Sequence, residues 1–147
     1  MRSLALAFLA LVVAFAVPAA ALDMVHPEKG SALRVAVLDA ARPTFAAETG
    51  GPIEFVVRAM NVWGDWAFAD VVLQRPGGRP IDWNRTKFAA EMQGGGFDPG
   101  GSFFLARKTA GHWVVVNYAV GPTDIPWIPW QEDNKLPAAL FDRPIPN

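Results

Sequence analysis

The chain has 147 residues, 13 Lys and Arg against 14 Asp and Glu for a formal charge of −1, and no cysteine. A balance this close to neutral excludes an extended surface for nucleic acid or anionic membrane as the organising feature. The missing cysteine excludes a disulfide framework and a lipid-anchored lipoprotein, and with only His26 and His112 no zinc site is expected.

Arg2, an apolar run from Leu4 to Val17, Pro18, and Ala19-Ala20-Ala21 are the three parts of a secretory signal peptide, with cleavage after Ala21. The apolar run breaks at Pro18, short of the roughly 20 residues that an uncleaved span needs. A periplasmic or extracellular destination follows, with no membrane anchor after cleavage. Cleavage leaves 126 residues (147 less 21), of which 12 are basic (13 less Arg2) and 14 acidic, the size of one domain.

Leu22 to Gly30 is expected to be a flexible start, and 31–147 a single α+β domain. Ser31 can cap a helix in which Leu33, Val37, Ala41 and Phe45 recur at every fourth residue with Leu38 beside them. Pro43 should kink this helix, which continues to about Glu48 and stops at Gly50-Gly51-Pro52. Ile53 to Val62 and Asp65 to Leu73 read as strands joined at Trp63-Gly64, with Val62 facing Asp65. Alternation then puts Phe55, Val57, Ala59, Trp66, Phe68, Asp70 and Val72 on one face, and Val56, Arg58, Met60, Val62, Ala67, Ala69, Val71 and Leu73 on the other. Both faces are apolar, so the helix should cover one, and a loop, the tail or a second copy in a homodimer the other.

Gln74 to Gly101 is rich in glycine, with one or two helical turns between Trp83 and Met92, and is the kind of long connection that is functional or mobile. A second hairpin spans Ser102 to Val120 around Thr109 to Gly111, pairing Lys108 with His112 and setting Arg107 against Trp113 as a cation–π contact. Its other face gathers Phe104, Ala106, Val114, Val116 and Tyr118. Pro122, Pro126 and Pro129 forbid regular structure in the tail, which is expected to lie extended across the domain. The architecture expected is an N-terminal helix packed on a curved four-stranded antiparallel sheet with an extended Pro/Trp-rich tail.

That order resembles the cystatin-like and nuclear-transport-factor-like α+β roll. Gly64-Asp65-Trp66-Ala67-Phe68 and Trp113-Val114-Val115-Val116, followed by Gly121-Pro122-Thr123-Asp124 and Trp127, resemble exported bacterial proteins of unknown function. The resemblance covers Ser31 to about Trp130 and implies an architecture and a compartment, but no activity. The central Gln-x-Val-x-Gly hairpin of cystatin inhibitors is absent, leaving the Pro-Trp pairs at 126–127 and 129–130 as an echo of their second wedge.

No specific catalytic motif is present. Ser102 and His112 should lie at opposite ends of a hairpin, roughly 20 Å apart at about 3.3 Å per residue, too far for a nucleophile and its base. Asp65 and Asp70 differ by an odd number and point to opposite faces. Asp70 alone, between Phe68 and Val72, could be a carboxylate in an apolar cavity between sheet and helix, as in a small enzyme of the nuclear-transport-factor-like class, or else a solvated residue on the open side of the sheet or one paired with Arg58 or Arg107. Asp124 could pin the tail through backbone N–H groups. Gly94-Gly95-Gly96 lacks the Gly-Lys-Ser/Thr of a phosphate loop. Asn84-Arg85-Thr86 is a glycosylation acceptor only in a eukaryotic host.

Six tryptophans could be core or groove. The reading is an exported, non-catalytic domain that binds a protein partner or small ligand through Trp127, Trp130, Trp66, Arg58 and Asp124, without metal or cofactor. The alternatives are the Asp70 enzyme and an inhibitor of an extracellular hydrolase. Mass spectrometry of the protein recovered from its host should find a mature chain beginning at Leu22; a cytoplasmic chain retaining Met1 would remove the compartment argument.

Overall fold

Ser31 begins the first helix as its side chain requires: its Oγ accepts the Arg34 N–H at 3.3 Å, satisfying a donor that helix geometry leaves free. The computed structural model describes residues 21–144, so the expected signal peptide up to Ala20 lies outside the described residues. Helix α1 (Ala32–Thr49) runs through Pro43 and ends on Gly50, whose positive φ of 72° suits glycine at a helix C-terminus. Val37, Ala41, Phe45 and Thr49 form its buried face.

The sheet has five antiparallel strands rather than four: β1 (Met24–Val25), β2 (Glu54–Trp63), β3 (Trp66–Gln74), β4 (Ser102–Thr109) and β5 (His112–Val120), paired in sequence order. The extra strand comes from the segment expected to be flexible, where Val25 pairs with Val62. Both hairpin turns sit one position away from the expected ones. Trp63 pairs with Trp66, which puts Gly64, at φ 56°, in the first central position that a type II′ turn reserves for glycine. Thr109 pairs with His112 around Ala110 and Gly111, both at positive φ, as a type I′ turn demands. Arg107 consequently faces Val114, and its guanidinium lies 5.1 Å above the Trp66 ring rather than on Trp113.

Two bulges reset the side-chain alternation. The β2–β3 register shifts between Val57 and Ala59, so Phe55 and Val57, expected beside Asp70, join Met60 and Val62 on the α1 side. In β5 the shift skips Val116: Trp113 and Val115 pack toward the core, while Val114 and Val116 stay half-exposed instead of joining Phe104 and Ala106.

The α1 side is closed at its end by the connection between β3 and β4. Its 3-10 turn (Trp83–Arg85) and short helix α2 (Ala89–Gln93) bring Trp83, Phe88 and Phe97 into the core, with the Trp83 and Phe97 rings 4.8 Å apart. Gly121 backs directly onto the Phe97 ring, where any Cβ would collide.

The sheet's other face is covered by the tail, which is not extended. Helix α3 (Trp127–Asn134) and a 3-10 turn (Ala138–Phe141) set Trp130, Leu136, Leu140 and Phe141 against Phe68, Phe103 and Leu105. Prolines permit α3 because Pro126 precedes it and Pro129 lies in its first turn, where backbone N–H groups have no intrahelical acceptor to lose. Among the described residues no helix is long and apolar enough to cross a membrane. Phe45→Ala and Trp130→Ala, one in each core, should each cost about 3–5 kcal/mol in chemical denaturation, whereas Val35→Ala on the exposed side of α1 should stay within about 0.5 kcal/mol.

Candidate functional site

Asp70 is 3% exposed on the face opposite α1, so it does not lie in a cavity beneath the helix. The bulge in β2 brings Arg58 across to it. Arg58 donates to Asp70 Oδ1 from Nε at 2.8 Å and also from Nη2, and Arg143, just beyond the C-terminal 3-10 turn, donates from Nη1 to Oδ2 at 3.1 Å. Both carboxylate oxygens are thus occupied. Two guanidiniums on one carboxylate leave a net positive charge, and the arginine side chains keep 42% and 38% exposure while the Asp70 side chain keeps 4%. Among the described residues, Nη1 of Arg58 and Nε and Nη2 of Arg143 have no acceptor. Trp127 fixes Arg143 from the side, its ring 4.6 Å from the guanidinium carbon, and Phe103 flanks it at 5.5 Å.

This ion cluster forms a wall between two clefts. One, of about 270 Å³, is lined by Trp127, Phe103, Asp98 and Asp124 together with both arginines. The other, of about 480 Å³, lies between the start of α1, β2 and the chain's C-terminal segment, and is lined by His26, Pro27, Arg34, Val57, Ala59, Met60, Asn61 and Asp142 as well as Arg58 and Arg143. Asn61 holds that second cleft together. Its Nδ2 donates to the carbonyls of Leu140 at 2.9 Å and Asp142 at 2.8 Å, while its Oδ1 lies 2.8 Å from His26 Nδ1.

A third cleft, about 520 Å³, opens at the C-terminal end of α1 and is lined by Glu48, Arg75, Asp82, Arg85 and Lys87 among others. Much of its charge is committed to the fold. Arg75 caps α1 by donating to the Thr49 carbonyl at 2.7 Å, which satisfies an acceptor left over at the helix end. Glu48 takes up the Lys87 ammonium and the Tyr118 hydroxyl. Those hydrogen bonds to Glu48 raise the pKa of both groups above their ordinary values, and are the largest cause in each case.

Of the residues singled out from sequence, Arg58, Asp70, Trp127 and Asp124 come together around the two clefts on the second face. Trp130 is buried in the core beneath them, and Trp66 packs against that core away from either cleft's lining. Asp124 is exposed in the smaller cleft and, among the described residues, makes no side-chain hydrogen bond of the pinning kind expected. Ser102 is buried and accepts the Gly121 N–H at 3.3 Å, while His112 sits at the far end of the hairpin. Arg143, Asn61, His26 and Arg34 were not singled out. Their placement depends on chain ends meeting in space, for which the sequence carries no local mark.

Compared with known protein families, curated proteins and solved structures, the chain matches none. Asp70→Asn should lower stability by about 2 kcal/mol, below the 3–5 kcal/mol of a fully buried pair because both freed guanidiniums can rehydrate. A urea midpoint unchanged by the substitution would show that the cluster fastens nothing.

Proposed function

We propose that this chain is an exported, non-catalytic binding domain, built as a cystatin-like or nuclear-transport-factor-like roll, whose ligand site is the 480 Å³ cleft beside the Asp70 cluster. The observation that carries this reading is the state of Arg58 and Arg143: held by a buried carboxylate, yet each about two-fifths exposed with donors to spare. Fixed, partly dehydrated donors on rigid elements favour binding because little side-chain freedom remains to be lost. The cleft also lies within the 300–1,000 Å³ or so usual for small-molecule sites.

The same geometry counts against the Asp70 enzyme. A general base must reach the substrate proton with an oxygen, and both oxygens of Asp70 already accept from guanidinium groups. The inhibitor reading drew on Trp127 and Trp130 as a protruding wedge; Trp130 is buried, which removes half of that wedge.

Thermal melts of the Leu22–Asn147 protein against a collection of small metabolites test the reading. A ligand should raise the Tm of the wild type and fail to do so for Arg143→Gln. Equal shifts in both proteins would place binding elsewhere, and turnover of any compound abolished by Asp70→Asn would restore the enzyme.

A further inference from the structure

The residues around the 480 Å³ cleft are not a random sample of the surface. Among the described residues of the lining, three are arginines, Arg34, Arg58 and Arg143, and Asp142 is the one carboxylate. Asp70, beneath, offsets one of those charges. Arg34 stands in the first turn of α1, which contains no acidic residue, so the positive pole of an 18-residue helix adds to the field instead of being neutralised by its own sequence. Arg34 is positioned as well, donating from Nη1 to the Pro27 carbonyl at 3.2 Å.

Of the remaining lining, His26 and Asn61 are polar, while Pro27, Val57, Ala59 and Met60 are apolar. Val57 is half-buried, and Pro27, Ala59 and Met60 are buried apart from the small area they give to the cleft wall. A bare inorganic anion would leave the apolar part of the wall wet. A neutral apolar molecule would cover part of the half-exposed guanidiniums without giving their donors a partner, which costs desolvation with no return.

Resting on the ligand-site reading above, we infer that the cleft takes a small organic acid, a carboxylate or phosphate group on an apolar body. The acid group docks on the free N–H groups of Arg58 and Arg143 with Arg34 at the rim, and the body lies on Val57, Ala59 and Met60. Guanidinium suits this role because its planar fork offers paired donors to either oxyanion.

Nuclear magnetic resonance titration of the Leu22–Asn147 protein with hexanoate, hexyl phosphate, hexanol and inorganic phosphate separates the parts of this proposal. The two hexyl acids should move the amide signals of His26, Ala59 and Asn61 and bind at least about tenfold more tightly than hexanol or inorganic phosphate, a difference of one bidentate contact or so. The tighter of the two identifies the head group. Arg34→Gln, and Arg58→Lys, which keeps a charge for Asp70 but loses the fork, should each weaken both acids about tenfold with the spectrum otherwise preserved. If Arg58→Lys does not fold, Arg34→Gln decides alone. Hexanol binding as well as hexanoate would overturn the acid class while leaving a ligand site in place. Inorganic phosphate equalling hexyl phosphate would remove the apolar body. If no probe moves those amides up to about 10 mM, weaker than any millimolar site, the proposal fails; the melt screen with Arg143→Gln then decides separately whether the cleft binds anything else.

Discussion

One extra residue in β2 governs much of this molecule. Without the bulge at Val57 to Ala59, Arg58 would lie on the α1 side, where its charge would meet Val37, Phe45 and Val71, and Asp70 would be buried on the opposite face with no partner from its neighbouring strand. An ionised side chain buried unpaired costs several kcal/mol or more, enough to consume a large share of a domain's net stability. The bulge resolves both problems in one step. It sends Arg58 to Asp70, and it returns Phe55 and Val57 to the helix, where the Phe55 ring meets Phe45 edge-on at 5.5 Å.

The second face depends on a different constraint, the full hydrogen-bond capacity of one buried amide. Asn61 is 3% exposed, and its two donor protons and its acceptor are all matched, to Leu140, Asp142 and His26. A side chain satisfied from three directions fixes all three, and the segments it fixes are the link between β1 and α1 and the end of the C-terminal cap. The same cap delivers Arg143 to Asp70. Core packing and charge pairing on this side are therefore one arrangement: Trp127 packs at a tilt on Phe103, ring centroids 4.9 Å apart, and also supports the guanidinium.

Local chemistry made the helix and hairpins legible in the sequence. Ser31, the fourfold spacing from Leu33 to Phe45, and Gly50 are short-range features, and the runs of β-branched and aromatic residues define β2 to β5 with little ambiguity. Side-chain direction was less legible because it depends on counting, and nothing in Val57-Arg58-Ala59 or Val115-Val116-Asn117 announces an extra residue. The two-residue β1 was hidden by its brevity, since its pairing comes from the distant Val62 and Trp63 rather than from its own pattern. The tail's helix is masked in the sequence because proline breaks a helix only beyond its first turn, where there is a hydrogen bond to lose, and Pro126 and Pro129 fall before that point. At the site, Arg58, Asp70 and Trp127 stood out as residues, but Arg143 meets Asp70 from 73 positions away, and no spacing rule reaches that far.

The Asn61 clamp also orders events in time. Its carbonyl partners lie 79 and 81 positions downstream, so a chain growing from its N-terminus can pair β2 with β3 and β4 and seat α1 long before it can complete the clamp. Until the segment from Trp127 to Arg143 emerges, Phe68, Phe103 and Leu105 remain uncovered and Asp70 has only one of its two arginines. A chain shortened before Trp127 is thus a one-sided sheet with an adhesive back, dependent on a holding partner or on staying unfolded, and closure of the second face waits for the segment from Trp127 to Arg143.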